Sequence, residues 1–197
     1  MFKKALETSA EIHDLIASRW SGVAFDADRP ITDEQLQSLM EAARWAPSCF
    51  GDQPWRYLVC RKSSHPEGWQ KIYDSLAEKN QAWCQYAPLL IIACHDTEFS
   101  HNGNPNKFGP YDTGAASVSM CLQASALGLM SHQMGGFSVD KIRESFAVPE
   151  RYSPIAAMAF GYQLAEDKIP PEFKERELAP RKRNSLGDHF FLGAWKD

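Results

Sequence analysis

The chain has 197 residues, 44% hydrophobic and 23% charged, a composition that suits one globular core. Its net charge of -4 and pI near 5.9 argue against non-specific nucleic-acid binding. The longest apolar run, residues 87–94, is too short to span a bilayer. The start Met1-Phe2-Lys3-Lys4-Ala5-Leu6-Glu7 lacks the apolar centre of a signal peptide, so residence in the cytoplasm is the expectation.

In chain order, the first predicted helix covers residues 10–19, with Ile12, Leu15, Ile16 and Arg19 at helical spacing and Ser9 as N-cap. The second is bounded by signals at both ends. Thr32 and Gln35 have the spacing of a capping box, Leu36, Leu39, Met40 and Ala43 form an apolar stripe, and Pro47 lies just beyond. Residues 46–56, Ala-Pro-Ser-Cys-Phe-Gly-Asp-Gln-Pro-Trp-Arg, then form a turn held by two prolines and rich in aromatic and amide groups. Such a turn can offer hydrogen bonds to a planar polar ligand.

A strand is predicted at 55–60, a helix at 69–80 and a fully buried strand at 89–94. Residues 112–127 are small or apolar on nearly every side, which describes a buried helix, and Gly128 suits its C-terminal cap. A short segment at 129–133 follows, then a helix from Ser138 through Phe146 and a last central strand at 155–160. Strands separated by helices predict an α+β (mixed α/β) fold, with a central mixed sheet covered by helices. Residues 166–197 read as an extended, charged and proline-punctuated excursion ending in Phe190, Phe191 and Trp195.

The cysteines are Cys49, Cys60, Cys84, Cys94 and Cys121, an odd set without Cys-x-x-Cys spacing, so reduced thiols are expected rather than disulfides or zinc ligands. The histidines show no metal-motif spacing, and no metal is expected. His95-Asp96 follows a strand end and reads either as a solvated loop or as a catalytic pair. There is no Walker loop, no dinucleotide fingerprint and no Gly-x-Ser-x-Gly elbow. Two groups carry the chemistry of a phosphate site, Arg19-Trp20-Ser21 and Arg181-Lys182-Arg183. Each alone also reads as solvated surface.

Taken in order, Arg19-x-Ser21, Pro47-Ser48, Gln53-Pro54-Trp55, Asn80, Met134-Gly135-Gly136-Phe137, Ala159-Phe160-Gly161-Tyr162 and Arg181-x-Arg183 resemble the FMN-dependent nitroreductase family along nearly the whole chain. The resemblance implies an intertwined homodimer with two FMN sites at the interface, residues 1–197 forming one domain whose final 166–197 segment packs on the partner subunit. It implies that Arg19, Ser21, Arg181 and Arg183 hold the FMN phosphate, with Trp20, between Arg19 and Ser21 in sequence, also counted as cofactor-binding or else as a core or interface residue. Pro47 and Ser48, from the other subunit, would line the ring and ribityl chain. Gln53 and Asn80 would face the pyrimidine edge, and Gly135 and Gly136 would let the backbone approach the ring. NADH or NADPH would reduce the flavin, and a nitroaromatic or quinone would take the electrons in a ping-pong cycle, with no side chain assigned a catalytic role.

Three positions depart from the family pattern. Val23 and Trp83 stand where many members carry cations, and Arg44 or Arg56 are candidate replacements. Gly51 stands where the first loop usually has asparagine. These departures keep two other readings open: a flavin-dependent oxidase or dehydrogenase of a specific metabolite, and a flavin- or heme-binding protein without turnover.

Overall fold

The computed structural model describes Lys4 and residues 6–195; residues 1–3, 5, 196 and 197, which include most of the N-terminal stretch read above, lie outside the described residues. Four strands form one sheet in the order β1-β2-β4-β3: β1 (Trp55–Arg61), β2 (Leu89–Asp96), β3 (Met130–Met134) and β4 (Tyr152–Gly161). The helices are α1 (Asp14–Ser18), α2 (Asp33–Arg44), α3 (Pro66–Ser75), α4 (Glu78–Cys84), α5 (Gly109–Ala126), α6 (Val139–Phe146) and α7 (Pro171–Leu178).

The α+β class is as expected, but the sheet is antiparallel at every pairing rather than mixed. The connections explain this. Two helices, α3 and α4, join β1 to β2, and Leu89 returns opposite Arg61, at the end where β1 finished. A single helix, α5, joins β2 to β3, which makes those two strands parallel. They are not neighbours, because β4 lies between them and pairs antiparallel with both.

β2 is buried at all eight positions, as a continuous apolar run requires. Its alternate residues feed two cores. Leu90, Ile92 and Cys94 pack with Val23, Trp69, Trp83 and Ile142 on one face, while Leu89, Ile91 and Ala93 pack with Leu39, Met120 and Phe160 on the other. Replacing the fully buried Ile92 with alanine should cost about 2–5 kcal/mol, measured as a shift in the denaturant midpoint at constant m-value.

Helix α2 forms as the capping box dictates: Thr32 Oγ1 accepts the Gln35 N–H at 3.2 Å, and Gln35 Oε1 accepts the Thr32 N–H at 3.1 Å. The first helix is shorter than expected, with His13 rather than Ser9 capping it through Nδ1. None of its residues is fully buried and Ile12 and Ile16 are exposed, so little packing supports further turns.

The helix expected at 69–80 is two helices broken at Leu76. The glycine loop causes the break: Ala77 N–H donates to Gly136 O at 2.9 Å, Ser138 N–H donates to Ser75 O at 2.8 Å, and Leu76 bridges Phe137. These bonds pull Leu76 into an extended conformation that a continuous helix forbids. The segment at 129–133 is the edge strand β3, and helix α5 starts three residues early, with Pro110 in its first turn. The charged excursion after residue 166 is not extended throughout, since it contains α7.

Candidate functional site

The first group of candidate residues sits at a corner beside β3. After α1 the chain runs along the exit of β4, with Asp26 N–H donating to Tyr162 O at 2.8 Å and Leu164 N–H to Ala24 O at 2.9 Å. Glu177 on α7, fully buried, pins the same segment: its Oε2 accepts the Val23 N–H at 2.7 Å and its Oε1 accepts from Gln163 Nε2 at 3.1 Å. Glycine is required at position 22, where a Cβ would lie 2.1 Å from Met130 Sδ and 2.7 Å from Glu177 Oε1.

This frame brings Arg19, Ser21, Arg181 and Arg183 together. Arg19 Nη1 lies 3.5 Å from Ser21 Oγ. Arg181 Nη1 donates to Ala17 O at 2.7 Å and Nη2 to Lys4 O at 3.0 Å. Burial, then the positive charges of Arg19 and Arg183, lowers the Arg181 pKa from its ordinary value. None of these three guanidinium groups makes an ion pair with a carboxylate among the described residues. Arg181 under the positive charges of Arg19 and Arg183, next to an exposed serine hydroxyl, fits an anion such as a phosphate monoester. Trp20 differs from its neighbours: its ring is buried under Lys4, whose Nζ is 4.1 Å from the ring centroid, so the indole does not line the open surface of the corner.

The second group sits where the same edge strand ends. Asn80 Nδ2 donates to Gly136 O at 3.1 Å, and a Cβ on Gly136 would meet that amide at 2.9 Å. Gly135 has no neighbour within 4 Å of its would-be Cβ, which leaves open space above it. Gly135 and Gly136 follow His132, whose Nδ1 meets Gly22 O at the corner, by three and four residues, roughly 10–13 Å along an extended chain. A phosphate at the corner and a ring at the glycines would be joined by a chain of ribityl size.

The third group lies elsewhere. Pro47, Ser48 and Gln53 precede β1, on the opposite edge of the sheet from β3, three strand spacings or about 14 Å away. Gln53 N–H donates to Ser48 Oγ at 3.0 Å, and Cys49 N–H donates to Asp112 Oδ2 at 3.0 Å. One protomer therefore does not bring this loop to the glycines. A cavity of about 250 Å³ lined by Leu58, Cys94, Phe146, Val148 and Tyr152 adjoins β1, away from the corner and the glycine loop.

Val23 and Trp83 are both core residues, fully or almost fully buried. Arg44 is bound to Glu41 on the surface of α2, and Arg56 donates to Gln53 O and Trp55 O on the β1 side, so neither replaces a cation there. A cation does lie over Trp83: Arg176 of α7, whose guanidinium carbon is 5.9 Å from the indole centroid. His95 and Asp96 are buried at the end of β2, with Asp96 bound to Arg151 Nε at 2.7 Å, and so form neither a solvated loop nor an open catalytic pair.

His132 was not visible as a site residue because its role depends on register. It sits on edge strand β3, its ring centroid 4.5 Å from that of Trp83 at a tilt of 32°, with Nδ1 2.8 Å from Gly22 O. Burial lowers its pKa from 6.5, the Gly22 bond opposes this, and Arg176 and Arg19 lower it further. A histidine whose folded pKa is depressed contributes stability above its unfolded pKa and loses it as pH falls. Between about pH 7 and pH 5.5 the melting temperature of the wild type should fall more steeply than that of His132→Gln; parallel curves would contradict this.

Structural comparison places the fold among oxidoreductases. A solved structure described as an oxidoreductase containing FMN superposes with a TM-score of 0.90 at 33% identity, covering 100% of this chain and 98% of that one. A nitroreductase family protein from Clostridium difficile 630 gives a TM-score of 0.72 at 27% identity, covering 94% and 100%. A Streptomyces coelicolor protein named "Putative NADH dehydrogenase/NAD(P)H nitroreductase" is 28% identical over 154 residues, 68% of this chain and 76% of that protein. The fold thus defines an oxidoreductase of the nitroreductase type. The model of the Nitroreductase family matches residues 16–83 and 63–162, and the chain belongs to that family.

Proposed function

We propose that this protein is an FMN-dependent oxidoreductase, a homodimer that takes electrons from NADH or NADPH and passes them to a nitroaromatic or quinone acceptor. The observation that carries this reading is the guanidinium corner, without an ion pair among the described residues, beside the edge strand that leads directly into Gly135-Gly136. Bound FMN would supply the two-electron chemistry, accepting hydride from the nicotinamide and delivering it to the acceptor.

The chain's own residues bind and orient. Arg19, Ser21, Arg181 and Arg183 would grip the phosphate. Asn80, having spent its Nδ2 on Gly136 O, keeps its Oδ1 as an acceptor for a ring N–H. The open space at Gly135 would admit the ring close to the backbone. The distance between the two sheet edges favours a second copy as the source of Pro47, Ser48 and Gln53. Exposed apolar groups support that copy: Trp45 at the end of α2, and Tyr111 and Val118 on the outward side of α5. In the same reading residues 1–197 form one domain, and the exposed Phe190, Leu192 and Trp195 of the tail pack on the partner subunit.

No helix among the described residues is long and apolar enough to cross a membrane, which fits the proposed cytoplasmic setting. The test is anaerobic mixing of the FMN-loaded protein with NADH or NADPH, then with menadione. Bleaching of the visible flavin band by the nicotinamide and its return with menadione are expected; a band that no nicotinamide bleaches contradicts the reading. The burial of Val23 and Trp83 favours a second reading, an oxidase or dehydrogenase, because no cation occupies either position. Return of the band with oxygen but not with menadione would select it.

A further inference from the structure

The loop before β1 has a feature that its proposed flavin contacts do not use. Phe50 has φ of 56°, in the left-handed region, and is 81% exposed. A bulky residue there is strained, and an exposed ring gains nothing from burial within the protomer. Gly51 beside it, at φ of 66°, has the residue type that such backbone favours. The strained residue is also held by its surroundings. Its ring packs edge-on against Phe99 at 5.8 Å and against His101 at 5.3 Å, and Phe99 and His101 lie 5.3 Å apart.

The segment after β2, which carries Phe99 and His101, is fixed from below. Asp52 Oδ1 accepts the Ser100 N–H at 2.9 Å and also the Ser100 hydroxyl, and lies 3.8 Å from His101 Nδ1. Phe99 N–H donates to Asn104 O at 2.8 Å, closing the 99–104 turn. The three rings are therefore preorganised, Phe99 buried as the base and Phe50 and His101 outward.

We propose that Phe50, Phe99 and His101 form an aromatic wall, presented by one protomer beside the flavin site of the other, that selects planar aromatic electron acceptors over compact non-aromatic ones. The proposal rests on the FMN reading above, which places residues 47–53 at that site. Edge-to-face and offset contacts with these rings suit a flat bicyclic acceptor. Holding the wall rigid in the free protein removes the ordering cost of binding. The strain at Phe50 is then retained for acceptor choice rather than for folding.

The test is equilibrium dialysis of menadione against the oxidised, FMN-loaded full chain without electron donor, for wild type, Phe50→Gly, Phe50→Tyr and His101→Ala. Phe50→Gly suits the left-handed backbone and keeps the fold available. Its menadione Kd, and that of His101→Ala, should rise roughly three- to tenfold. Phe50→Tyr should stay within about twofold of wild type, with FMN content and dimer mass equal in all four proteins. An unchanged Kd in Phe50→Gly overturns the wall while leaving the FMN reading intact. So does an equal rise in the KM for menadione and for ferricyanide in NADH- or NADPH-driven turnover of the same proteins, since the wall would then not select. Loss of dimer mass in Phe50→Gly would make the ring an interface contact and also overturn the proposal. A wild-type protein that takes up no FMN overturns both readings.

Discussion

Replacing Arg19 with alanine should lower FMN affinity about ten- to a hundredfold and leave the thermal unfolding curve where it was. The Arg19 guanidinium makes one long contact, to Ser21 Oγ at 3.5 Å, and no ion pair among the described residues, so the fold does not depend on it. A charge-assisted bond to a phosphate is worth about 1.5–3 kcal/mol, and Arg19 is free to make it. Arg181 provides the contrast. Its bonds to the carbonyls of Ala17 and Lys4 tie the N-terminal segment to the corner, so Arg181→Ala lowers both FMN affinity and melting temperature. Fluorescence titration of FMN alongside a thermal melt checks both. If Arg19→Ala bound FMN as tightly as wild type, the corner would not be the phosphate site.

Replacing Glu177 with alanine destabilises the protein by about 3 kcal/mol, or roughly 6–12 °C in melting temperature for a chain of this length. Glu177 is completely buried and satisfies the Val23 N–H and the Gln163 amide. Removing it leaves the buried Val23 N–H without its acceptor and takes one bond from the half-buried Gln163 amide, beside a glycine at position 22 that leaves little room for repacking. The damage also reaches the site, because residues 19–23 carry Arg19 and Ser21. FMN affinity should therefore fall together with stability, and adding saturating FMN should restore part of the lost melting temperature by linkage. A melting temperature within about 2 °C of wild type would show that Glu177 does not brace this segment.

The sequence carried most of the secondary structure wherever local signals were strong. Thr32 and Gln35 fix the start of α2, the apolar run of β2 marks a strand buried on both faces, and Gly128 ends α5 at φ of 72°. It failed where tertiary bonds override local preference. Residues 69–80 have helical periodicity, but the Gly136 and Ser138 hydrogen bonds break the helix at Leu76. The antiparallel sheet was invisible because strand order depends on β4 inserting between β2 and β3, which no local pattern encodes.

The same division holds for the candidate site. Arg19-x-Ser21 and Arg181-x-Arg183 were readable separately as groups suited to a phosphate, and only the family resemblance joined them, since they lie near opposite ends of the chain. Glu177, Arg176 and His132 were not, because each gains its role from a buried bond or a ring contact across elements. Val23 and Trp83 were legible as missing cations, while the structure adds the reason: both side chains are built into the core under β2. The strain at Phe50 could not be read from residue type, since its left-handed backbone lies inside a loop whose neighbour is already glycine.

The most direct measurement is a titration of the purified full chain, stripped of any bound flavin, with FMN, followed by visible absorption and by mass of the assembly. The account predicts saturation at one FMN per chain, in a particle of two chains, with riboflavin binding far more weakly because it lacks the phosphate that Arg19, Arg181 and Arg183 would hold. Riboflavin binding as tightly as FMN, or no flavin uptake at all, would contradict it.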